Sequence, residues 1–145
     1  MSQSHAKADD EGQAAEDAKP ATGEVIHREL SYRVMQAVYE VHNALGPGYA
    51  ESVYEESLAL ELGLRGIAYA RQPCVSVTYK GHSVGAQRLD LLVEGKIVLE
   101  IKAVPALNDL FRRQTLSYLK ATGLRLGILI NFGAARVEYK RIVHG

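Results

Sequence analysis

The chain has 145 residues, a length that fits one domain with its own core. Its 17 basic and 17 acidic residues give a net charge of zero, which excludes a protein that coats nucleic acid through bulk positive charge. The single cysteine, Cys74, excludes an intramolecular disulfide and a multi-cysteine zinc site; we expect a buried structural thiol. No apolar run approaches a membrane span and the N-terminus lacks an apolar signal segment, so we expect a cytoplasmic protein.

Residues 1–23 differ in composition from the rest of the chain. They contain five acidic and two basic residues, and no large apolar side chain after Met1. Such a segment cannot offset the entropy of its own ordering, so we predict a disordered acidic tail. Residues 24–145, with 15 basic and 12 acidic side chains, are predicted to form one domain in which any contact with nucleic acid is local.

Two helices are predicted at the start of the domain. Apolar residues recur at steps of three and four from residue 24 to residue 45, and Gly46 is the expected stop. A second helix is predicted over residues 50–65. Glu51 falls in its first turn, where the helix dipole alone favours an acidic residue. Tyr54 lies three residues later, where it either orients Glu51 or simply packs.

The next elements are predicted strands, over residues 74–79 and, after a turn at 80–83, over residues 84–93. A turn at Glu94-Gly95 then leads into a further apolar run that carries Glu100 and Lys102. Gly95 favours a three-residue turn over residues 93–95, because such a turn ends in the left-handed conformation. In a hairpin with this turn the numbers of paired residues have an even sum, so Asp90 lies on the same face as Glu100 and Lys102.

Three charges that converge between apolar runs predict a functional site, because a charge buried without a partner costs several kcal/mol. The alternative is a solvated hairpin face with incidental charges. Arg88, two residues before Asp90, is expected on the same face. It could neutralise the carboxylates, hold a phosphate, or be an ordinary surface arginine.

A third helix is predicted after this hairpin. Asn108 or Asp109 is the expected N-cap, and the helix runs to about residue 122. Gln114 and Tyr118 are four residues apart and therefore share one face, which borders the core. The basic residues of the helix suit contacts with backbone phosphates, or else form a solvated face: Arg112, Arg113 and Lys120.

Two further strands, over residues 125–132 and 136–143, complete the chain. The predicted order is helix, helix, three strands, helix, two strands. Strands separated by helices indicate an α/β fold with a central mixed sheet flanked by helices.

These residues carry a family resemblance. Asp90, a strand with Glu100-Ile101-Lys102, and a helix with Gln114 and Tyr118 resemble the PD-(D/E)xK phosphodiesterase superfamily. More narrowly, Gly48-Tyr-Ala-Glu51-Ser-Val-Tyr54 is similar to the signature of its small GxxExxY family. The resemblance runs from about Leu30 to Val143.

The resemblance implies a restriction-endonuclease-like core and a metal-dependent nuclease that acts on DNA or RNA. Mg²⁺ prefers a few carboxylate ligands, and Mn²⁺ can substitute for it. Asp90 and Glu100 are the natural ligands, Glu51 is a third, and the Ile101 carbonyl is the ligand that the resemblance implies. Lys102 would position the attacking water or stabilise developing charge. The resemblance places Gln114 and Tyr118 beside the metal, where they hold substrate or the catalytic lysine.

One residue departs from the family pattern. The GxxExxY pattern usually has a histidine three residues before the glutamine, whereas this chain has Phe111. Two alternatives to a nuclease therefore stay open: a catalytically decayed nucleic-acid-binding module, and a protein-interaction domain that keeps the fold.

Overall fold

The computed structural model describes residues 25–145, so the predicted tail at residues 1–23 lies outside the described part. Three helices and seven strands follow one another in this part of the chain: α1 (Arg28–Leu45), α2 (Glu51–Leu64), β1 (Tyr69–Arg71), β2 (Cys74–Tyr79), β3 (His82–Arg88), β4 (Leu91–Val93), β5 (Ile97–Lys102), α3 (Asp109–Thr122), β6 (Leu126–Asn131) and β7 (Glu138–Val143).

A five-stranded mixed sheet organises the fold, with the strand order β1-β4-β5-β6-β7. Strands β5 and β6 are parallel, and their connection runs through α3; the other neighbours are antiparallel. The predicted fold class, α/β with a central mixed sheet flanked by helices, is confirmed.

The sheet separates two apolar layers, and β5 contributes to both. Ile97, Leu99 and Ile101 pack with α1 and α2, while Val98 packs with the apolar residues of α3. Strands β5 and β6 are both covered on both faces, and for β6 its continuous apolar run predicts this. Glu100 and Lys102 follow the parity of Val98 and therefore lie on the α3 side.

The prediction of one strand over residues 84–93 was wrong. The chain forms β3 and β4 instead, and these belong to different sheets, because β3 pairs with β2 in a separate two-stranded ribbon. Leu89, fully buried at the break, donates its N–H to the carbonyl of Pro73 at 3.1 Å. Five strands rather than three therefore lie between α2 and α3.

Two local predictions also need correction. Cys74 is exposed rather than buried, because it begins a strand of the ribbon and not of the central sheet. The hairpin turn spans residues 94–96 instead of 93–95, with Val93 paired to Ile97. Both Glu94 (φ 51°) and Gly95 (φ 66°) are left-handed there, whereas only Gly95 was expected to be. The numbers of the paired residues still have an even sum, as predicted, so Asp90 and Glu100 share a face.

The ends of α3 follow from its sequence. The side chain of Asn108 accepts a hydrogen bond from the Phe111 N–H at 3.2 Å, which makes Asn108 the N-cap. Gly123 ends the helix with φ 75°. Among residues 25–145, no helix is long and apolar enough to cross a membrane.

Candidate active site

The β4–β5 hairpin brings two carboxyl groups together. Its register pairs Leu91 with Leu99, so the next position along places Asp90 opposite Glu100. Asp90 Oδ2 accepts a hydrogen bond from the N–H of Ile101 at 2.7 Å. This contact fixes the Asp90 carboxylate against the backbone of β5.

Glu100 is the most strongly perturbed group in the site. Its side chain is 3% exposed, and its Oε2 atom is buried without a hydrogen-bond partner. Burial above all, together with the negative charge of Asp90 and hydrogen bonding to Asp90, raises the pKa of Glu100 to about 9. Glu100 is therefore protonated at neutral pH in the metal-free protein.

Asp90 shares that environment. Burial raises the pKa of Asp90, while hydrogen bonds with the Ile101 N–H and the Glu100 side chain lower it in part. Two carboxyls this close titrate as a pair, and one proton between them relieves their repulsion. A cation at this position would relieve the same repulsion.

Lys102 lies on the same face of β5 as Glu100. Its positive charge lowers the pKa values of Glu51, Asp90 and Glu100, but burial outweighs it at each of them. The Lys102 ammonium also lies 4.9 Å from the centroid of the Phe111 ring, within the range of a cation–π contact. Phe111 therefore contacts the lysine from α3.

Glu51, the first residue of α2, interacts electrostatically with Asp90 and Lys102. Its carboxylate accepts a hydrogen bond from the Ala103 N–H, and its charge raises the pKa of Glu100. Although Glu51 is exposed overall, partial burial of its carboxyl raises its own pKa, against the opposing charge of Lys102. The structure thus brings Glu51 towards Asp90, Glu100 and Lys102.

Tyr54 holds the loop that precedes Glu51. Its hydroxyl donates to the Gly46 carbonyl at 2.5 Å and accepts from the Tyr49 N–H at 3.2 Å. Its ring, fully buried, stacks on Phe132 at 4.7 Å. Gly48 lies in that loop with φ 119°, a conformation that only glycine adopts without strain. Tyr54 therefore packs in the core and anchors the loop that leads to Glu51.

Helix α3 contributes a second aromatic side chain, Tyr118, beside the carboxyls. Tyr118 is 7% exposed, and burial, together with the negative charges of Glu100 and Asp90, raises its pKa to about 12. Gln114, one turn earlier, is exposed to solvent. The two share a helix face, but only Tyr118 is buried beside the carboxyls.

The four basic residues expected to contact nucleic acid lie on two elements: Arg88 on the ribbon, and Arg112, Arg113 and Lys120 on α3. Arg88 ends β3 in the ribbon and is exposed, so its expected position on one strand with Asp90 was wrong. Arg113 pairs with Asp109 at 2.8 Å on the surface of α3. Arg112 borders a shallow cavity at the start of α3, and Lys120 lines another at its far end.

Sequence reasoning missed Glu55 and Asn131. Glu55, one turn after Glu51, is buried and paired with Arg71 at 3.0 Å, and its charge raises the pKa of Asp90. Asn131, fully buried at the end of β6, bonds both the N–H and the carbonyl of Val104 at 2.9 Å. It thereby fixes the chain just beyond Lys102. The sequence held two signals for them. Glu55 lies four residues after Glu51 and so on the same helix face, and Asn131 is a polar residue at the end of an apolar strand.

The donor set can be compared with what a divalent cation requires. Over the described residues, no three His, Cys, Asp or Glu side chains form a preformed metal cluster. The Asp90–Glu100 pair nevertheless fits a cation, because the Glu100 Oε2 atom is buried without a partner and the pair retains a proton.

Comparisons with known proteins bear on this site. A family model described as the PD-(D/E)XK nuclease superfamily matches residues 28–142. A solved structure described as "Crystal structure of SSO0001" is similar at 19% identity with a TM-score of 0.45; the match covers 82% of this chain and 60% of that one. No curated protein sequence matches this chain.

Proposed function

This chain belongs to the PD-(D/E)XK nuclease superfamily, and we propose that it is a divalent-metal-dependent nuclease that hydrolyses phosphodiester bonds of DNA or RNA. The observation that carries this proposal is the buried pair of Asp90 and Glu100, with an unpartnered Oε2 atom on Glu100. Buried carboxyls without a cationic partner cost stability, and a metal ion offsets that cost.

The residues that would hold Mg²⁺ or Mn²⁺ are Asp90, Glu100, the carbonyl of Ile101, and Glu51. Asp90 immediately precedes β4, Glu100 and Ile101 lie in β5, and the Ile101 N–H already donates a hydrogen bond to Asp90. Glu51 approaches from the start of α2, consistent with the narrower GxxExxY assignment. When bound, a divalent cation supplies charge neutralisation at the phosphoryl oxygens and activation of a water.

The surrounding side chains have separate roles in this proposal. Lys102 holds its ammonium beside the carboxyls and stabilises the charge that develops on the phosphoryl oxygens. Tyr118 keeps its phenol protonated, since its pKa is raised to about 12, and donates a hydrogen bond towards the substrate. Gln114, one turn before Tyr118 on α3, orients the nucleic-acid strand. Arg88, Arg112, Arg113 and Lys120 contact phosphates of the nucleic acid.

A second candidate is a nucleic-acid-binding module that no longer cleaves. The observation that favours it is Phe111, whose ring contacts Lys102 at 4.9 Å where a histidine would supply a titratable group. The two candidates share the binding surface and differ only in chemistry.

A cleavage screen separates them. The full chain is incubated with single- and double-stranded DNA and RNA, in Mg²⁺, in Mn²⁺ and in EDTA. The nuclease predicts cleavage of at least one substrate with metal, none in EDTA, and none by Glu100→Gln. Binding without cleavage in every condition would establish the decayed module, and cleavage in EDTA would contradict the metal-dependent mechanism.

A further inference from the structure

Glu55 is a buried carboxylate that the proposed mechanism does not use. The residue is 7% exposed, and its Oε2 atom accepts hydrogen bonds from Arg71 Nη2 at 3.0 Å and from Gln72 Nε2 at 3.1 Å. Because a carboxylate only accepts, this contact fixes the orientation of the Gln72 amide. Arg71 is the last residue of β1 and Gln72 follows it, so Glu55 ties the end of β1 to α2.

Gln72 in turn holds the main chain at Asp90. The Gln72 N–H donates to the Asp90 carbonyl at 2.9 Å, and the Leu89 N–H donates to the Pro73 carbonyl at 3.1 Å. These two bonds continue the antiparallel pairing of β1 with β4. The segment that carries Asp90 is therefore fastened to the residues that follow β1.

The backbone of Gln72 is in an uncommon conformation. Its φ of 51° lies in the left-handed region, which residues other than glycine rarely adopt. Such a conformation persists where surrounding contacts hold it, and here they are the side-chain bond to Glu55 and the main-chain bond to Asp90. Gln72 thus joins the buried carboxylate of Glu55 to a candidate metal ligand.

Asp90 is held from two sides as a result. Its carbonyl is bound by Gln72 on the side of β1, and its Oδ2 atom by the Ile101 N–H on the side of β5. Glu51 lies one turn before Glu55 on the same face of α2 and interacts with Asp90 through charge. Glu55 therefore links the helix that carries Glu51 to the segment that carries Asp90.

Glu56 offers a matched comparison. It pairs with the same arginine, through Arg71 Nη1 at 2.8 Å, but its side chain is 73% exposed. The side-chain bond of Gln72 goes to Glu55 instead. An exposed ion pair contributes little to stability, so the two neighbouring carboxylates share one partner and differ in burial and in the link to Gln72.

We propose that Glu55 is a positioning residue of the candidate metal site: through Gln72 it holds the main chain of Asp90 at a fixed distance from Glu51, so that both carboxylates reach one divalent cation. This inference rests on the proposed metal-dependent function and adds a residue that acts through the ligands. Groups that orient metal ligands in this way typically contribute about 10- to 100-fold to metal affinity.

Binding of Mn²⁺ tests the inference without a substrate. Electron paramagnetic resonance of free Mn²⁺ gives the dissociation constant for the full chain and for its variants at neutral pH. The charge of Glu55 also acts on Asp90 directly, since it raises the pKa of Asp90. Glu55→Met and Glu55→Gln separate this effect from positioning, because both remove the charge and only the glutamine keeps an oxygen that accepts from Gln72.

Glu55→Met should weaken Mn²⁺ binding by about 10- to 100-fold. Gln72→Met, which removes the donor of the same bond, should weaken it by a similar factor. Glu55→Gln should recover most of the loss, and Glu56→Met, at the exposed partner of Arg71, should bind as the wild type does.

A Glu51→Gln background gives a readout that a merely structural role would not move. If Glu55 sets the distance between Glu51 and Asp90, Glu55→Met should weaken Mn²⁺ binding far less once Glu51 no longer ligates. A general loosening of the fold would instead make the two effects additive, and additivity would overturn the positioning role.

Wild-type affinity in Glu55→Met or in Gln72→Met would also overturn the inference, and Gln72→Met keeps this test available if Glu55→Met fails to fold. Equal losses in Glu55→Gln and Glu55→Met would overturn it as well, because charge alone would then explain them. In these cases the wild type still binds Mn²⁺ and the proposed function stands. A wild type that binds no Mn²⁺ would overturn the metal-dependent function and the inference with it.

Discussion

Glu100 combines deep burial with a neighbouring carboxylate, and its protonation therefore couples to the stability of the fold. Its pKa is about 9 in the folded protein, against an ordinary value near 4.5. Between these values the folded state binds more protons than the unfolded state. The contribution of Glu100 to stability is thus present in full below pH 4.5 and is lost as the pH rises towards 9.

We expect the melting temperature in EDTA to fall between pH 5.5 and pH 8.5, and to fall less in Glu100→Gln, which has no proton to lose. Differential scanning calorimetry of both proteins across this range measures the difference. Identical pH slopes in the two proteins would mean that Glu100 is already ionised in the metal-free fold.

In the proposed mechanism, Lys102 stabilises the charge that develops on the phosphoryl oxygens and does not bind the metal ion. Lys102→Ala should keep its stabilisation by Mg²⁺ while its cleavage rate falls by about 10²- to 10³-fold, the usual effect of removing one preorganised stabilising group. Lys96→Ala, at an exposed lysine in the adjacent turn, should cleave at the wild-type rate. A Lys102→Ala protein with unchanged cleavage would remove this residue from the mechanism.

At the scale of elements, the loop before α2 depends on one buried hydroxyl. Tyr54→Phe leaves the Gly46 carbonyl and the Tyr49 N–H without that partner while the ring can still stack on Phe132. We expect a loss of about 1–3 kcal/mol of unfolding free energy, measured by urea denaturation. Tyr49→Phe, which alters only an exposed tyrosine, should be neutral. Equal stability of both variants would contradict the anchoring role.

Helix α3 provides a second test at this scale. Gln114 is exposed, so Gln114→Ala should change the melting temperature little, as surface substitutions do. If Gln114 orients the substrate one turn from Tyr118, cleavage should fall clearly more than stability. Cleavage assays beside thermal melts decide this, and a variant that cleaves at the wild-type rate would exclude Gln114 from the site.

The hairpin and the helices were accessible from the sequence because their signals are local. Parity alone placed Asp90 and Glu100 on one face, and Asn108 and Gly123 marked the ends of α3. The break at Leu89 was not accessible, because a strand that changes sheets keeps the same alternation of side chains. What redirects the chain is a distant contact, the hydrogen bond of Leu89 to Pro73.

For the whole molecule, the sheet brings together groups that are far apart in the sequence. Glu51 from α2, Asp90 from the segment just before β4, Glu100 from β5 and Tyr118 from α3 meet where β5 is covered by helices on both sides. The electrostatic coupling of Glu51 to Glu100 could not be derived from the residues of the sequence alone. Only the family resemblance placed Glu51 at this site. The burial that makes this region the core of the sheet also raises the pKa values of Asp90 and Glu100, and the proposed cation would offset the cost of ionising them there.

The central claim is that a divalent cation binds at Asp90 and Glu100, and a thermal melt with Mg²⁺ tests it without a substrate. At ten times the dissociation constant, binding should add about 1.4 kcal/mol, or about 3–6 °C in melting temperature for a domain of this size. Asp90→Asn and Glu100→Gln should each abolish the rise and melt no lower than wild type in EDTA. Glu40→Gln, on the exposed side of α1, should keep it. An equal rise in all four proteins, or no rise in the wild type, would contradict the claim.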